Sequence, residues 1–244
     1  MTSDTFEAAD IRLGQLRIHV AHPAQNSRAG VLLYPTIRGL DDTMRESAQV
    51  FADAGMCAVV WDPYNGEDVT GDVMHMLARS KECEDESMVR DLRSVVDYMQ
   101  GELELASIAG IGWCFGGRVA LIHGGSDERI RAVSAYHPTL WLDTPIDFAG
   151  RSLSIADFPE ETLDVFALAA SINGPVQICH PERDFTPQAA YDRLLEALRT
   201  RPEPTIYEFY PGADHGFSFA LGTANEKAQR FAWAITLSLF SQCL

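Results

Sequence analysis

The sequence predicts an α/β fold in which a mostly parallel central sheet carries helices on both faces. Two short apolar runs, Ala29–Tyr34 (AGVLLY) and Cys57–Trp61 (CAVVW), have the continuous hydrophobicity of strands that are buried on both sides. Stretches of helical periodicity lie between such runs, as at 84–100, where Met88 and Leu92 recur on one face. Because the two patterns alternate along the whole chain, we expect parallel strands joined by crossover helices.

The predicted elements follow this alternation in order. Strands are expected at 11–21 (a half-buried strand or hairpin), 29–34, 57–61, 107–111, 131–136, 176–180 and 205–210. Helices are expected between Thr43 and Gly55, at 84–100, at 115–123, near 160–170, from Pro187 and from Thr223. Thr43 and Glu46 have the spacing of a capping box, and Thr186 is predicted to cap the helix that begins at Pro187.

The chain is predicted to form a single domain, 1–244. Apolar residues make up 46% of its 244 residues and charged residues 22%, which is typical of a globular protein. There are no internal repeats and no linker-like segment. The segment 137–174 has the least regular pattern, and we interpret it as a lid or interface insert.

The charge balance limits the partners. The chain has 19 Lys and Arg against 35 Asp and Glu, a net charge of −16, which disfavours nucleic acids and anionic membrane surfaces. No apolar run approaches the roughly 18 residues of a membrane span. The N-terminus lacks the basic and apolar regions of a signal peptide. We therefore expect a cytoplasmic protein that acts on a small molecule, either as a monomer or as a homo-oligomer.

Cysteine and histidine spacing argues against bound metals and cofactors. The five cysteines are scattered and form no C-x-x-C pair, so neither a disulfide framework nor a redox dithiol is expected. No histidine–carboxylate cluster has metal-ligand spacing, and no glycine-rich phosphate loop is present. We expect no metal and no cofactor.

The motif Gly112–Gly117 (GWCFGG) joins a predicted strand to a predicted helix. Such a turn, with small residues on both sides, is what a nucleophile elbow requires, because neighbouring backbones approach it closely. It would lift Cys114 clear of the sheet at the positive end of a helix, which favours the thiolate. For this motif alone, a buried unreactive cysteine is an equally good interpretation.

Two further residues strengthen the interpretation of Cys114 as a nucleophile. Asp184 comes just after the strand predicted at 176–180, and His215 just after the strand predicted at 205–210. Open α/β sheets place their sites at the carboxyl ends of strands. The order nucleophile, acid, histidine is also the one that an elbow nucleophile uses. Each residue alone reads as an ordinary loop residue, but the three together indicate a catalytic triad.

These residues resemble the dienelactone hydrolase family of the α/β-hydrolase fold. The similarity covers most of the chain in order, and cysteine in the elbow, where α/β-hydrolases usually have serine, is its most specific part. The matching segments are Val31-Leu32-Leu33-Tyr34, Met44-Arg45-Glu46, Trp61-Asp62-Pro63-Tyr64, Gly112–Gly117, Asp184 with Pro187, and His215-Gly216-Phe217.

The resemblance implies a cysteine hydrolase that cleaves a small ester or lactone through a thioester acyl-enzyme. By the same resemblance Cys114, Asp184 and His215 are the triad, and the backbone N–H groups of Ile37 and Phe115 form the oxyanion hole.

The chain departs from the family pattern at two positions that bear on the substrate. Thr36 stands where the family carries a glutamate that takes part in activating the thiol. Phe219 stands where the diene-lactone enzymes carry an arginine that holds the substrate carboxylate, so the pocket is expected to be more apolar. Arg38, Arg79 and His137 are further candidates for substrate contacts.

Two alternatives belong to other functional classes. The run Val176–Glu182 (VQICHPE) resembles a segment of class I glutamine amidotransferases, in which Cys114 would pair with His180 and Glu182. The helix, strand and histidine loop that follow in this chain are not needed by that family. The second alternative is a vestigial α/β-hydrolase-like binding protein without catalysis.

Overall fold

The computed structural model describes residues 8–67, 69, 71, 73–142, 145–148, 151–153 and 163–244 of the chain. Its strands are β1 Ala9–Leu13, β2 Leu16–Ala21, β3 Ala29–Tyr34, β4 Cys57–Trp61, β5 Ser107–Trp113, β6 Ile130–Tyr136, β7 Ile146–Phe148, β8 Arg151–Leu153, β9 Val176–Arg183 and β10 Thr205–Asp214. Its helices are α1 Asp42–Asp53, α2 Val73–Ser80, α3 Asp85–Gly101, α4 Phe115–Ser126, α5 Val165–Ala169, α6 Gln188–Leu198 and α7 Thr223–Cys243.

Eight strands form the main sheet, in the order β1-β2-β4-β3-β5-β6-β9-β10. The pairs β1–β2 and β2–β4 are antiparallel, and all other neighbours are parallel. The predicted strands at 29–34 and 57–61 are found with the same bounds. The prediction of a mostly parallel sheet is therefore confirmed.

Helices cover both faces of this sheet, because its strands alternate their side chains between two apolar cores. In β3, Leu32 and Tyr34 face a core built with α3, α4, α5 and α6. Val31 and Leu33 face a second core built with α1 and α7. Since the parallel strands all run the same way, the loops after β3, β4, β5, β6, β9 and β10 meet at one edge of the sheet.

Two of the predicted helix caps are wrong. Asp41, not Thr43, precedes α1, and its carboxylate accepts a hydrogen bond from the N–H of Met44 at 3.0 Å. Thr186 does not cap α6, whose N-cap position is Pro187. Its hydroxyl donates instead to the carbonyl oxygen of Pro138 at 3.0 Å, so a residue expected to act locally ties down a distant loop.

The segment 137–174 is described only in part, and its interpretation as a lid or interface insert stays a prediction. Residues 143–144, 149–150 and 154–162 lie outside the described residues. The described part holds the antiparallel pair β7–β8 and the helix α5, whose buried face packs in the first core. Among the described residues, no helix is long and apolar enough to span a membrane.

Candidate active site

Cys114 lies in the sharp turn between β5 and α4. Its backbone angles are φ 56° and ψ −119°, and residues other than glycine rarely adopt a positive φ. Its N–H donates to the carbonyl of Tyr136 at 3.0 Å, and its carbonyl accepts from the N–H of Thr139 at 3.0 Å. The end of β6 therefore holds the strained residue in place and presents its partly exposed thiol at the carboxyl edge of the sheet.

Glycines on both sides of Cys114 permit this turn. A Cβ atom on Gly112 would lie 2.0 Å from the carbonyl oxygen of Gly116, and a Cβ on Gly116 would lie 2.1 Å from that of Tyr34. No side chain fits at such distances from backbone atoms, so both positions require glycine. The helix α4 can therefore begin directly beside the thiol.

Asp184 follows β9 and is bound on both of its oxygen atoms. Its Oδ1 accepts from Nδ1 of His215 at 2.7 Å and from the N–H of Thr186 at 3.0 Å. Its Oδ2 accepts from the hydroxyl of Tyr191 at 2.7 Å. The carboxylate is almost fully buried, so these bonds fix its orientation towards the imidazole.

His215 follows β10 and turns its ring towards Cys114. Its backbone N–H donates to the carbonyl of Arg183 at 2.8 Å, which anchors the loop to the end of β9. With Nδ1 held by Asp184, the other nitrogen, Nε2, is buried and forms no hydrogen bond of normal geometry to a described residue. The Cys114 sulfur lies 3.3 Å from the Oγ1 of Thr139.

The charges of the three residues support one another. Burial raises the pKa of Cys114, but the positively charged His215 ring, the Thr139 hydroxyl and the Phe115 N–H together bring it below its usual value. Burial lowers the pKa of His215, but the Cys114 and Asp184 charges outweigh it and raise that pKa. The site therefore favours a thiolate beside an imidazolium.

The two backbone N–H groups expected to form an oxyanion hole lie at this edge. Phe115 is the first residue of α4, and hydrogen bonding of its N–H to the Cys114 sulfur lowers the pKa of that thiol. Ile37 lies in the loop after β3, and its N–H makes no backbone hydrogen bond to any residue that the structure describes.

Two other candidates, Thr36 and Arg38, belong to that same loop. The Thr36 hydroxyl accepts from the N–H of Arg38 at 3.2 Å. Among the described residues, the side-chain hydroxyl that hydrogen-bonds to the Cys114 thiol is that of Thr139. The Arg38 side chain is exposed and lines a cavity of about 440 Å³ together with Arg17 and Arg45.

Arg79 and Phe219 are engaged in contacts of their own. The guanidinium of Arg79, in the last turn of α2, forms ion pairs with Glu67 and Glu82. Phe219 is 39% exposed, and its ring packs against Trp113 with centroids 5.8 Å apart. At the position where the diene-lactone enzymes carry an arginine, this chain therefore presents an apolar ring.

His137 follows β6 and is fully buried. Its ring meets the ring of His215 edge to face, with centroids 4.6 Å apart, and meets that of Phe217 at 5.5 Å. The sequence indicates His137 only as a candidate for substrate contacts, because no local pattern predicts its contact with His215, which is distant in the chain.

His180 and Glu182 are turned to other partners. Nδ1 of His180 lies 2.8 Å from the Tyr207 hydroxyl, and its ring stacks on Tyr191 at 3.6 Å. Glu182 accepts from the N–H of Gly212 at 2.7 Å on the surface. These contacts do not support the amidotransferase pairing with Cys114.

Sequence reasoning missed two side chains of the site, Thr139 and Tyr191. Thr139 lies in the irregular segment after β6, where no motif was visible. Tyr191 lies on the buried face of α6, where its periodicity reads as ordinary core. Only its proximity to Asp184 distinguishes it.

Comparison with known proteins identifies the family of the chain. The model of the dienelactone hydrolase family matches residues 16–244. A Salmonella typhi protein named as a carboxymethylenebutenolidase is 22% identical over 224 residues, which cover 87% of this chain and 76% of that protein.

Solved structures show the same fold. One from Klebsiella pneumoniae, described as a dienelactone hydrolase, superposes with a TM-score of 0.77 at 20% identity and covers 97% of this chain and 98% of its own. A dienelactone hydrolase-like promiscuous phosphotriesterase from metagenomic libraries has a TM-score of 0.74 at 18% identity, with coverages of 97% and 98%. The chain therefore belongs to the dienelactone hydrolase family and is a hydrolase of the α/β-hydrolase fold.

Proposed function

We propose that the protein cleaves a small ester or lactone through a Cys114–His215–Asp184 triad. The observation that carries the proposal is the hydrogen bond from His215 to Asp184, together with the electrostatic effect of the His215 ring on a thiol that lies on a strained elbow. The carboxylate lies 2.7 Å from Nδ1 of the imidazole, and the imidazole charge lowers the pKa of the thiol against the effect of burial. A vestigial site gives no reason to keep a strained cysteine beside a charged histidine.

In the acylation step, the Cys114 sulfur forms a bond to the carbonyl carbon and the carbonyl π electrons move onto the oxygen. The tetrahedral intermediate then collapses, and the alkoxide or enolate leaves with the electron pair of its C–O bond. His215 gives it the proton, and a thioester remains on Cys114. Water, activated by His215, hydrolyses the thioester and restores the thiol.

Asp184 holds His215 in one tautomer throughout this cycle. Because Nδ1 donates to the carboxylate, Nε2 is the nitrogen that exchanges protons with the substrate. The N–H groups of Ile37 and Phe115 would bind the oxyanion, and each such donor lowers the barrier by about 3–4 kcal/mol in comparable enzymes.

The surroundings favour an uncharged substrate. Arg79 is already paired with two carboxylates, and Phe219 is apolar. The ring of Phe185 lies 4.0 Å from that of His215 and adds a further apolar wall. We therefore expect neutral esters and lactones to be better substrates than those bearing a carboxylate.

The test is a panel of neutral and anionic esters and lactones, with p-nitrophenyl acetate and a cis-dienelactone included, and intact-mass detection of an acyl adduct. Wild type should turn over with a transient adduct, Cys114→Ala should be inactive but folded, and Cys243→Ala should behave as wild type. Full activity in Cys114→Ala would refute the assignment of the nucleophile. Release of ammonia from glutamine without ester turnover would refute the hydrolysis of esters.

A further inference from the structure

The loop that carries Ile37 is a tight turn with fixed peptide planes. The N–H of Gly39 donates to the carbonyl of Thr36 at 3.0 Å, as in a β-turn from Thr36 to Gly39. The Thr36 carbonyl and the Ile37 N–H belong to one planar trans peptide and point in opposite directions. Because the carbonyl points into the turn, the Ile37 N–H points out of it.

The next peptide plane is held at both of its ends. Its N–H, from Arg38, donates to the Thr36 hydroxyl at 3.2 Å. Its carbonyl, from Ile37, accepts a hydrogen bond from the hydroxyl of Tyr64 at 2.9 Å. Ile37 therefore lies between two peptide groups that cannot rotate independently. Of the three hydrogen bonds that hold them, only the one from the Tyr64 hydroxyl comes from outside the turn.

Tyr64 is itself firmly placed. It lies just after β4, where the carboxylate of Asp62 accepts from the N–H of Tyr64 at 3.0 Å and from that of Gly66 at 2.8 Å. Its ring packs so closely on Gly39, which has φ 71°, that a Cβ on this glycine would lie 2.6 Å from it. The side chain is only 5% exposed. The bond to Ile37 is thus made by a buried and preoriented donor.

The hydroxyl of Tyr64 also stays protonated. Burial raises the pKa of Tyr64, and the negative charge of the nearby Cys114 thiolate raises it further. Formation of the reactive thiolate therefore strengthens the tendency of Tyr64 to remain a donor.

We propose that Tyr64 is a positioning residue that holds the Ile37 N–H in the direction required for an oxyanion, with Thr36 holding the same turn from within. This inference rests on the proposed function, because it concerns the oxyanion formed at Cys114. It also gives Thr36 a part in the reaction other than activation of the thiol. A preoriented donor stabilises the transition state without having to reorganise during the reaction.

Two reactions of the same sulfur separate this role from a general structural one. Acylation by p-nitrophenyl acetate passes through an oxyanion, since the sulfur bonds to the carbonyl carbon before p-nitrophenolate leaves. Alkylation by iodoacetamide forms no oxyanion, because the sulfur displaces iodide from a saturated carbon. A defect in the turn should therefore slow only the first reaction.

The principal variant is Tyr64→Phe, which removes the hydroxyl and keeps the ring. Its acylation rate should fall about 10-fold, less than the roughly 10²- to 10³-fold seen when an oxyanion donor is lost completely. Its alkylation rate should equal that of wild type. The control is Tyr207→Phe, which removes a hydroxyl bound to His180 and should leave both rates unchanged.

Thr36 provides a second test that does not depend on the folding of the Tyr64 variant. Thr36→Val keeps the side-chain shape but removes the acceptor for the Arg38 N–H, so acylation should slow while alkylation does not. Thr36→Ser restores the acceptor and should recover the lost rate.

The outcomes distinguish this inference from the proposed function. Acylation of Tyr64→Phe at the wild-type rate, in a protein that loses acylation on Cys114→Ala, would overturn the role of Tyr64 alone. Equal losses in acylation and alkylation would also overturn it, since the hydroxyl would then act on the thiol. Absence of acylation in wild type would overturn the proposed function and this inference together.

Discussion

The imidazole rings of His137 and His215 meet edge to face, with centroids 4.6 Å apart. Both ring nitrogens of His137 are buried and lack a hydrogen-bond partner among the described residues. Burial, and to a smaller degree the positive charge of His215, holds the pKa of His137 well below its usual value, so this ring is neutral. His137 is therefore an uncharged ring that packs against the imidazole of His215.

Replacement of His137 tests this relationship. His137→Phe keeps a neutral ring and removes two unpaired polar atoms, so it should retain kcat within a few-fold and unfold at the same or a higher temperature. His137→Ala removes the ring contact and should lower both kcat and the free energy of unfolding. The check is steady-state kinetics with thermal unfolding. If the Phe variant is as inactive as the Ala variant, the imidazole nitrogens themselves are required.

The thiols should differ sharply in their reaction with iodoacetamide. The pKa of Cys114 lies below its usual 9.0, whereas burial raises that of Cys57 to about 11 and that of Cys83 to about 12. Since only the thiolate reacts, Cys114 should label first. Its rate should rise with pH through the lowered pKa and then level off, while Cys57 and Cys83 stay protonated. Peptide mass mapping between pH 5 and 9 measures this.

His215 causes much of the lowered thiol pKa, so its removal should reverse the effect. In His215→Gln the pKa of Cys114 should move upward, and labelling at pH 7 should slow because less thiolate is present. An unchanged rate profile would show that the start of α4 and Thr139 suffice to form the thiolate.

Asp184 should be needed for turnover more than for the presence of the nucleophile. In Asp184→Asn the amide can no longer accept from Nδ1 as a carboxylate does, and turnover should fall by orders of magnitude, about 10⁴-fold in a comparable serine enzyme. Glu182→Gln is the matched control and should leave turnover unchanged. Among the described residues, this surface carboxylate accepts a hydrogen bond from the backbone N–H of Gly212 and forms none with His215. A wild-type rate in Asp184→Asn, with a loss in Glu182→Gln, would transfer the role to Glu182.

A buried ion pair should set the stability of the helices behind the elbow. Arg118, one turn into α4, binds Asp85 at the start of α3 through two bonds of 2.7 and 2.8 Å, and neither side chain is exposed. Asp85→Ala leaves a buried charge without its carboxylate and should lower the free energy of unfolding by about 3–5 kcal/mol.

The control for this experiment is an exposed ion pair. Asp42 is 94% exposed where it meets Arg45, so Asp42→Ala should change the free energy of unfolding little. Denaturant unfolding measures both variants. Similar small losses would contradict the importance of the buried pair.

Local patterns were enough to predict the sheet, and through it the positions of the candidate residues. The bounds of β3 and β4 follow from continuous apolar runs, and the elbow at Cys114 follows from flanking glycines. These features are determined by neighbours in the chain. The order of Asp184 and His215 after later strands placed them at the same edge, because parallel strands end together.

The helix caps show where local reasoning fails. Asp41 and Thr43 both have side chains able to cap α1, and the actual start of the helix decides between them. Thr186 has a cap-like sequence, yet its hydroxyl binds a loop 48 residues away. Sequence spacing cannot rank such competing hydrogen bonds, because their energies differ by little.

The sequence by itself determined the fold class, the family and the three residues offered as a triad, since these depend on periodicity, glycine placement and motif order. The tertiary structure decided which side chains touch: Thr139 at the thiol, Tyr191 on Asp184 and Tyr64 on the Ile37 carbonyl. Each contact joins loops or helices that are distant in the chain. Such contacts depend on how strands order in the sheet and which rotamers the packing allows, and neither is encoded in a local pattern.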